Sequence, residues 1–415
     1  MLEMVHDIAT YLTTAPMVSN LGGIHASEDA DSLPTAVDKQ KREGAYYVWT
    51  MDEFKGLLSE QEADLCARYW NVKPDGNVDR RFDHQGELVG QNTLCVQTSS
   101  EELAKEVGLA EQEIQDILRS GRQKLLSYRE KSRPRPALDD KIVSSWNGLV
   151  IGGLARTAAA LETSDPQCAS RYLAAAFKAA NCIRDNLFDA KDGTLRRVYR
   201  EGPGETQGFA DDYAFMIGGL IDLYEATFDD SWLQWADTLQ KTQLRLFWDE
   251  SKHAFFSTPA EQPDILIRVK DAMDNAEPST NGVAMGNLYR LGSLLNDEGL
   301  MRKGRQTVAA FEVELGQHPG LFSGMMAGIV ASKLGVKGLM VVGDGEQSEK
   351  ALKGFRDQVR PNWTVLRVGG EAKNTWLSER NGLLKDLKRD REMVQLCEGT
   401  ACRLLGEGEL DAIFK

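Results

Sequence analysis

Histidine is almost missing from this chain. Its 415 residues hold five, His6, His25, His84, His253 and His318, and no two share a motif. Paired imidazoles are the usual proton carriers at neutral pH, so chemistry that needs two of them is disfavoured, with only His25 expected near a helix mouth. Cysteine is sparse too, at six residues scattered as Cys66, Cys95, Cys168, Cys182, Cys397 and Cys402. That is too few for a disulfide framework and points to a reducing, intracellular compartment, most simply the cytoplasm. Cys397 and Cys402 alone are close, but their spacing is neither that of a thioredoxin-like redox pair nor half of a zinc site, so they read as two ordinary thiols near a turn.

Long apolar runs are also lacking, and nothing approaches the roughly 18 to 20 residues of a membrane-spanning helix. Residues 1–17 have no basic leader segment and do not read as a secretory signal. Positive charge is in deficit: 49 Lys and Arg stand against 63 Asp and Glu, a formal charge of -14. Such a chain repels a phosphate backbone, which excludes nucleic acid as a natural partner. The basic run from Arg122 to Arg135 reads as a solvated helix face.

What is present is a repeat of helix pairs. One copy opens at Trp146-Asn147-Gly148-Leu149, a second at Gly208-Phe209-Ala210-Asp211-Asp212-Tyr213, and a third at Glu277-Pro278-Ser279-Thr280-Asn281-Gly282. The first helix of each pair is poor in charge and rich in small residues, as in Gly152-Gly153 and Gly218-Gly219, which marks a buried helix. Its partner is amphipathic, with Trp232, Trp235 and Leu239 on one face and Asp237 and Lys241 on the other. Buried helices alternating with amphipathic ones are the pattern of a mainly α fold, an (α/α)6-type toroid in which no hairpin buries its face alone. The toroid is expected to span residues 1–333, with an irregular, β-containing excursion over its mouth at 20–100. Residues 334–415 read as a small C-terminal α/β extension, a strand at 338–344, a helix over 347–359 and a strand at 364–368. The single Gly343-Asp344-Gly345 lacks the spacing of a dinucleotide or phosphate loop, and no cofactor is expected.

In such a ring the N-termini of the inner helices face one mouth, where free N–H groups favour polar and anionic ligands. The acids placed there are the candidate catalytic groups: Asp211, Asp212, Asp271, Asp274 and Glu277. Asp140, Lys141, Trp146, Asn147, Tyr213 and Lys270 are the candidate binding residues, together with Tyr47 and Trp49 from the 43–50 stretch. Carboxylates beside aromatic platforms suit a saccharide, whose apolar faces stack on rings while its oxygens need acceptors and a proton donor. Two adjacent carboxyls also split their proton affinities, so that one can serve as acid and the other as base. Capping competes with this reading, since Asp, Ser and Asn are favoured N-cap residues. Ser279 and Asn147 are expected to be caps, whereas capping explains one acid per helix and not two. No metal cluster of recognised spacing and no GxSxG elbow is present.

The Gly22-Gly23 to Ser32 segment, Glu43-Gly44-Ala45-Tyr46-Tyr47-Val48-Trp49-Thr50, Gly90-Gln91-Asn92, Arg133-Pro134-Arg135-Pro136 with Leu138-Asp139-Asp140-Lys141, Asp212-Tyr213-Ala214 and Lys270-Asp271 through Ser279 resemble the spermatogenesis-associated protein 20 family of thioredoxin-domain-containing proteins. The resemblance implies a six-hairpin, glycosidase-like toroid behind an N-terminal thioredoxin-like domain. It also implies that this chain lacks that domain and the first hairpins. Two functions follow as expectations: a carbohydrate-binding or carbohydrate-processing domain working through the acidic pocket, or a non-catalytic scaffold for a thioredoxin-like domain. A sugar epimerase or isomerase stands behind them.

Overall fold

The computed structural model describes residues 2–260, 262, 265–358, 361–369, 374–385, 387, 389 and 391–414. The chain forms two compact units, one of residues 1–26 with 140–415 and one of residues 27–139.

The first unit begins with helix α1 (Leu2–Thr13). The smaller unit then holds α2 (Met51–Leu57), α3 (Glu60–Tyr69), α4 (Ser100–Val107) and α5 (Glu111–Ser132). Residues 20–100 are mostly turns with the short strands His25–Glu28, Asp31–Ser32 and Arg42–Glu43, and α2 and α3 interrupt this stretch. Three capping boxes start these helices: Thr50 with Glu53, Ser59 with Glu62, and Ser99 with Glu102. Each satisfies orphan N–H groups at both ends of the box, which lets helices of seven to ten residues persist. Their apolar faces share a core of Trp49, Phe54, Cys66, Trp70, Leu103, Ile114, Leu118 and Leu125. Lys124 and Ser120 of α5 both bond the Glu62 carboxylate at 2.7 Å. Lys124 first, then the Ser59 N–H, hold Glu62 down at about 2.

Three helical hairpins build the larger unit: α6 (Ser144–Leu161) with α7 (Pro166–Asn186), α8 (Ala210–Thr227) with α9 (Asp230–Phe247), and α10 (Thr280–Leu294) with α11 (Glu298–Ala310). This is the mainly α, toroid-type hairpin arrangement that the repeat predicts. Helix α8 is buried along almost its whole length, from Ala210 to Tyr224. Small residues make that possible: a Cβ on Gly148 would lie 2.5 Å from the Met216 nitrogen, and one on Gly219 would lie 2.4 Å from the Gly148 carbonyl oxygen. Deeper in the bundle Arg290 bridges Asp222 and Glu225 at 2.7 and 2.6 Å.

After α12 (Glu312–Gln317) and α13 (Met326–Leu334) the chain forms the expected α/β element. Strands Lys337–Val342 and Trp363–Val368 pair in parallel around α14 (Glu346–Arg356). Val359, the end of the helix read from sequence, lies outside the described residues. Helix α15 (Thr375–Arg380), the antiparallel hairpin of Met393–Glu398 with Ala401–Leu404, and α16 (Glu407–Ile413) complete it. The element is bolted to the helices: Ser293 and Thr364 hydroxyls lie 2.7 Å apart, and Asn381 donates to the Leu294 carbonyl at 2.8 Å. It also changes α9. Asp237, assigned from sequence to a solvent face, is 3% exposed because Arg380 of α15 covers it at 3.5 Å while Lys241 pairs with it at 2.7 Å. A second correction concerns Cys397 and Cys402, which are joined in a disulfide because the hairpin register sets them opposite each other. Among the described residues no helix is long and apolar enough to cross a membrane.

Candidate functional site

The three inner helices begin in the same way, with a buried polar side chain that grips an extended stretch of backbone. Asn147 accepts from the Ile24 N–H at 2.8 Å and donates to the carbonyls of Ile24 and Val143 at 3.0 and 2.9 Å. Asn281 repeats the clamp on Phe255, accepting at 2.8 Å and donating at 2.9 Å, with a further bond to the Asp271 carbonyl at 2.7 Å. In the second copy the Tyr213 hydroxyl accepts from the Leu195 N–H at 2.9 Å. Asn147 is therefore no N-cap: it lies one turn inside α6 and is 1% exposed. Tyr213 is equally enclosed, and burial pushes its hydroxyl up to about 12. Neither side chain reaches a ligand at the surface.

The acids fall into two groups. Asp212 is 0% exposed and accepts from the N–H groups of Ser145 at 3.0 Å and Phe209 at 2.8 Å, and from Arg197 at 2.8 Å. Burial, then the neighbouring Asp211 charge, raises it to about 7 against the pull of Arg197. Asp271 caps α10 through the Thr280 N–H at 3.0 Å. Asp274 accepts from Ser279 N–H at 2.9 Å, Ser323 hydroxyl at 3.1 Å and Gly324 N–H at 2.5 Å. Burial works to raise Asp274, but the Gly324 and Ser279 N–H bonds outweigh it and hold the carboxyl below its ordinary value. Ser279 stands at the cap position without a side-chain cap bond, and Asp271 instead takes the Thr280 N–H through its carboxylate and the Asn281 N–H through its carbonyl. These three carboxylates are spent on the backbone.

The second group is more accessible, its acids being partly exposed. Trp146 is 41% exposed and its indole N–H donates to Glu277 at 3.0 Å, joining the first copy to the third. Asp140 pairs with Arg200 at 2.7 Å, the two side chains being 43% and 59% exposed. Asp211 pairs with Arg197 at 3.0 Å. Lys141 is partly buried on the strand leading into α6. Lys270 bonds Asp249 at 2.8 Å and lies 4.8 Å from the centre of the Phe256 ring. Lys270 is thus turned to a neighbouring carboxylate, which its charge draws well below the usual range.

Tyr47 and Trp49 belong to the smaller unit. Trp49 is 2% exposed and serves as core, with Arg133 4.0 Å over its ring; Tyr47 is 44% exposed, with Arg129 5.2 Å over its ring. Arg197 and Arg200 were missed in sequence. They follow the Lys191-Asp192-Gly193 turn, between two repeat copies, and only the proximity of Arg196-Arg197 and Arg200 to the Asp211-Asp212 pair hints at them.

No carboxylate of the mouth belongs to a metal-like cluster among the described residues. His6, Asp165 and Cys168 offer ligand atoms within 4.8 Å of one another, but elsewhere, and His6 is bonded to Tyr172 while Asp165 caps α7. The cavities of about 480, 540 and 590 Å³ are likewise lined by other residues.

No family model matches the chain. Spermatogenesis-associated protein 20 of mouse is 35% identical to it over 424 residues, covering 97% of this chain and 52% of the mouse protein. The human protein is 35% identical over 403 residues (92% and 50%), and the rat protein 32% over 427 (97% and 53%). Two solved structures show a loose likeness. A glycoside hydrolase of family 105 from C. acetobutylicum has 13% identity and a TM-score of 0.35, over 54% of this chain and 63% of its own. A family 76 alpha-mannanase from Bacteroides thetaiotaomicron has 14% identity and a TM-score of 0.37, over 61% and 70%. The chain spans about half the length of the curated relatives it matches, and over that span it is similar to spermatogenesis-associated protein 20.

Proposed function

We propose that the mouth formed by the starts of α6, α8 and α10 is a saccharide-binding platform that holds its ligand without cleaving it. The carrying observation is the division among the acids: Asp212, Asp271 and Asp274 are consumed by backbone N–H groups, whereas Trp146 stands exposed with its indole fixed by Glu277. A ring held in one orientation stacks on the apolar face of a sugar at little entropic cost. Glu277, Asp140 and Arg200 then supply acceptors and donors for hydroxyl groups around it. Asn147, Tyr213 and Asn281 are positioning residues for this surface, since they fix the backbone from which the helices start.

A hydrolytic reading has one observation in its favour: Asp212 holds its proton up to about 7, where a general acid works best. Its lack of exposed surface weighs against it, since a general acid must reach the oxygen it protonates. A glycan array read with wild type, Trp146→Ala and Glu277→Gln tests the platform. Wild type is expected to retain a small set of glycans, Trp146→Ala to lose them, and Glu277→Gln to weaken them by about tenfold, the scale of one charge-assisted hydrogen bond. Equal retention by wild type and Trp146→Ala would place the ligand elsewhere.

A further inference from the structure

The saccharide platform leaves one chemical group unused, the sulfur pair of the C-terminal hairpin. Register sets Cys397 directly opposite Cys402, with Cα atoms 4.0 Å apart. The hairpin does not need the bond. Gln395 opposite Leu404 and Leu396 opposite Arg403 continue the pairing outward from the cysteines, and Met393–Glu398 pairs along its whole length with Lys337–Val342. A disulfide stabilises chiefly by closing a loop of the unfolded chain, and the gain grows with loop length. Here the cysteines are five positions apart in a turn the ladder already closes, so the bond adds little to the fold.

Access is unequal at its two ends. Ala401–Leu404 is the outermost strand of its sheet and is exposed at all four residues, Cys402 included. Cys397 is 8% exposed and lines the 480 Å³ cavity beside Asn296 and Asp297. The other four cysteines are free; Cys66 is buried and its thiol is pushed up to about 12 by that burial. The hairpin pair is therefore both the oxidised pair among the described residues and one whose opening leaves the sheet paired.

We propose that Cys397–Cys402 is an exchangeable disulfide that accepts electrons from a dithiol. A thiolate of the dithiol attacks the Cys402 sulfur, the Cys397–Cys402 bond breaks, and Cys397 leaves as a thiolate that takes a proton from water. The second thiol of the reductant, once deprotonated, attacks its own sulfur in the mixed disulfide. Cys402 leaves as a thiolate, and the oxidised dithiol departs. Two electrons pass to the protein, and the hairpin ends as a dithiol.

Native protein, first blocked at its free thiols with iodoacetamide, is treated with dithiothreitol or with reduced glutathione and mapped by mass spectrometry, far-ultraviolet ellipticity being followed in parallel. Dithiothreitol is expected to open the pair completely with ellipticity unchanged, whereas glutathione, a monothiol, leaves a mixed disulfide on Cys402. With oxidised glutathione, Cys397→Ser is expected to form the adduct at Cys402 on the order of ten times faster than Cys402→Ser forms it at Cys397. Ellipticity of both variants checks their folding. Opening only in denaturant, equal rates in the two variants, or two free thiols in untreated, air-equilibrated protein would each overturn the proposal.

Discussion

Asp212 carries a carboxyl with no exposed surface, three donors and a charged neighbour. Its folded value of about 7 lies above the 3.8 of an exposed aspartate, so the native state binds a proton that the unfolded chain has already lost. The stability this group contributes is therefore full below about pH 4 and is lost as pH rises through 7. Asp212→Asn has no such titration. In urea unfolding from pH 4 to 8, the advantage of wild type over Asp212→Asn should shrink as pH rises, by about 1.4 kcal/mol per unit of raised affinity. A difference that does not vary with pH would show that Asp212 is ionised throughout. The two asparagine clamps predict a simpler result. Asn147→Ala and Asn281→Ala each leave a buried N–H without its acceptor and remove two bonds to backbone carbonyls, and each should cost about 1–3 kcal/mol in thermal or urea unfolding.

Helices differ in how plainly their sequences announce them. The inner helices were legible because Gly148, Gly152 and Gly219 sit in charge-poor runs, and the structure puts those glycines where α6 and α8 touch backbone to backbone. Gly148→Ala places a methyl 2.5 Å from the Met216 nitrogen, which no rotamer relieves, and should destabilise by about 1–3 kcal/mol or more. Arg290→Met should cost about 3–5 kcal/mol by removing the cation that pairs with Glu225, leaving Asp222 to Arg156 alone. The helices at 51–69 were present in the sequence as two capping boxes, Thr50 to Glu53 and Ser59 to Glu62. Neighbouring glycine and aspartate turns hid them, because a short helix shows too few turns for its apolar period to stand out. Asp237 was misplaced for another reason: its partner Arg380 is 143 positions away, and no local pattern announces a helix that will later cover α9. The mouth shows the same split. Its acids could be found by position along the repeat, but whether a carboxylate meets solvent or a backbone N–H depends on Ser145, Phe209 and Gly324, which carry no charge to notice.

At the scale of the molecule the chain consists of two units with separate cores, one built around Trp49, Phe54 and Ile114 and the other around α6, α8 and α10. Residues 27–139 bury their own aromatic cluster and cap their own helices, so that fragment should fold alone and unfold cooperatively; a disordered fragment by circular dichroism would contradict a self-sufficient core. The larger unit carries the proposed platform. The most direct measurement is saturation-transfer NMR of the protein with a mixed oligosaccharide pool, followed over a day. The platform reading expects transfer to ring protons of a subset of sugars, loss of that transfer in Trp146→Ala, and no new anomeric signals. New reducing-end signals that appear with wild type and vanish with Asp212→Asn would contradict it and make the mouth a hydrolase.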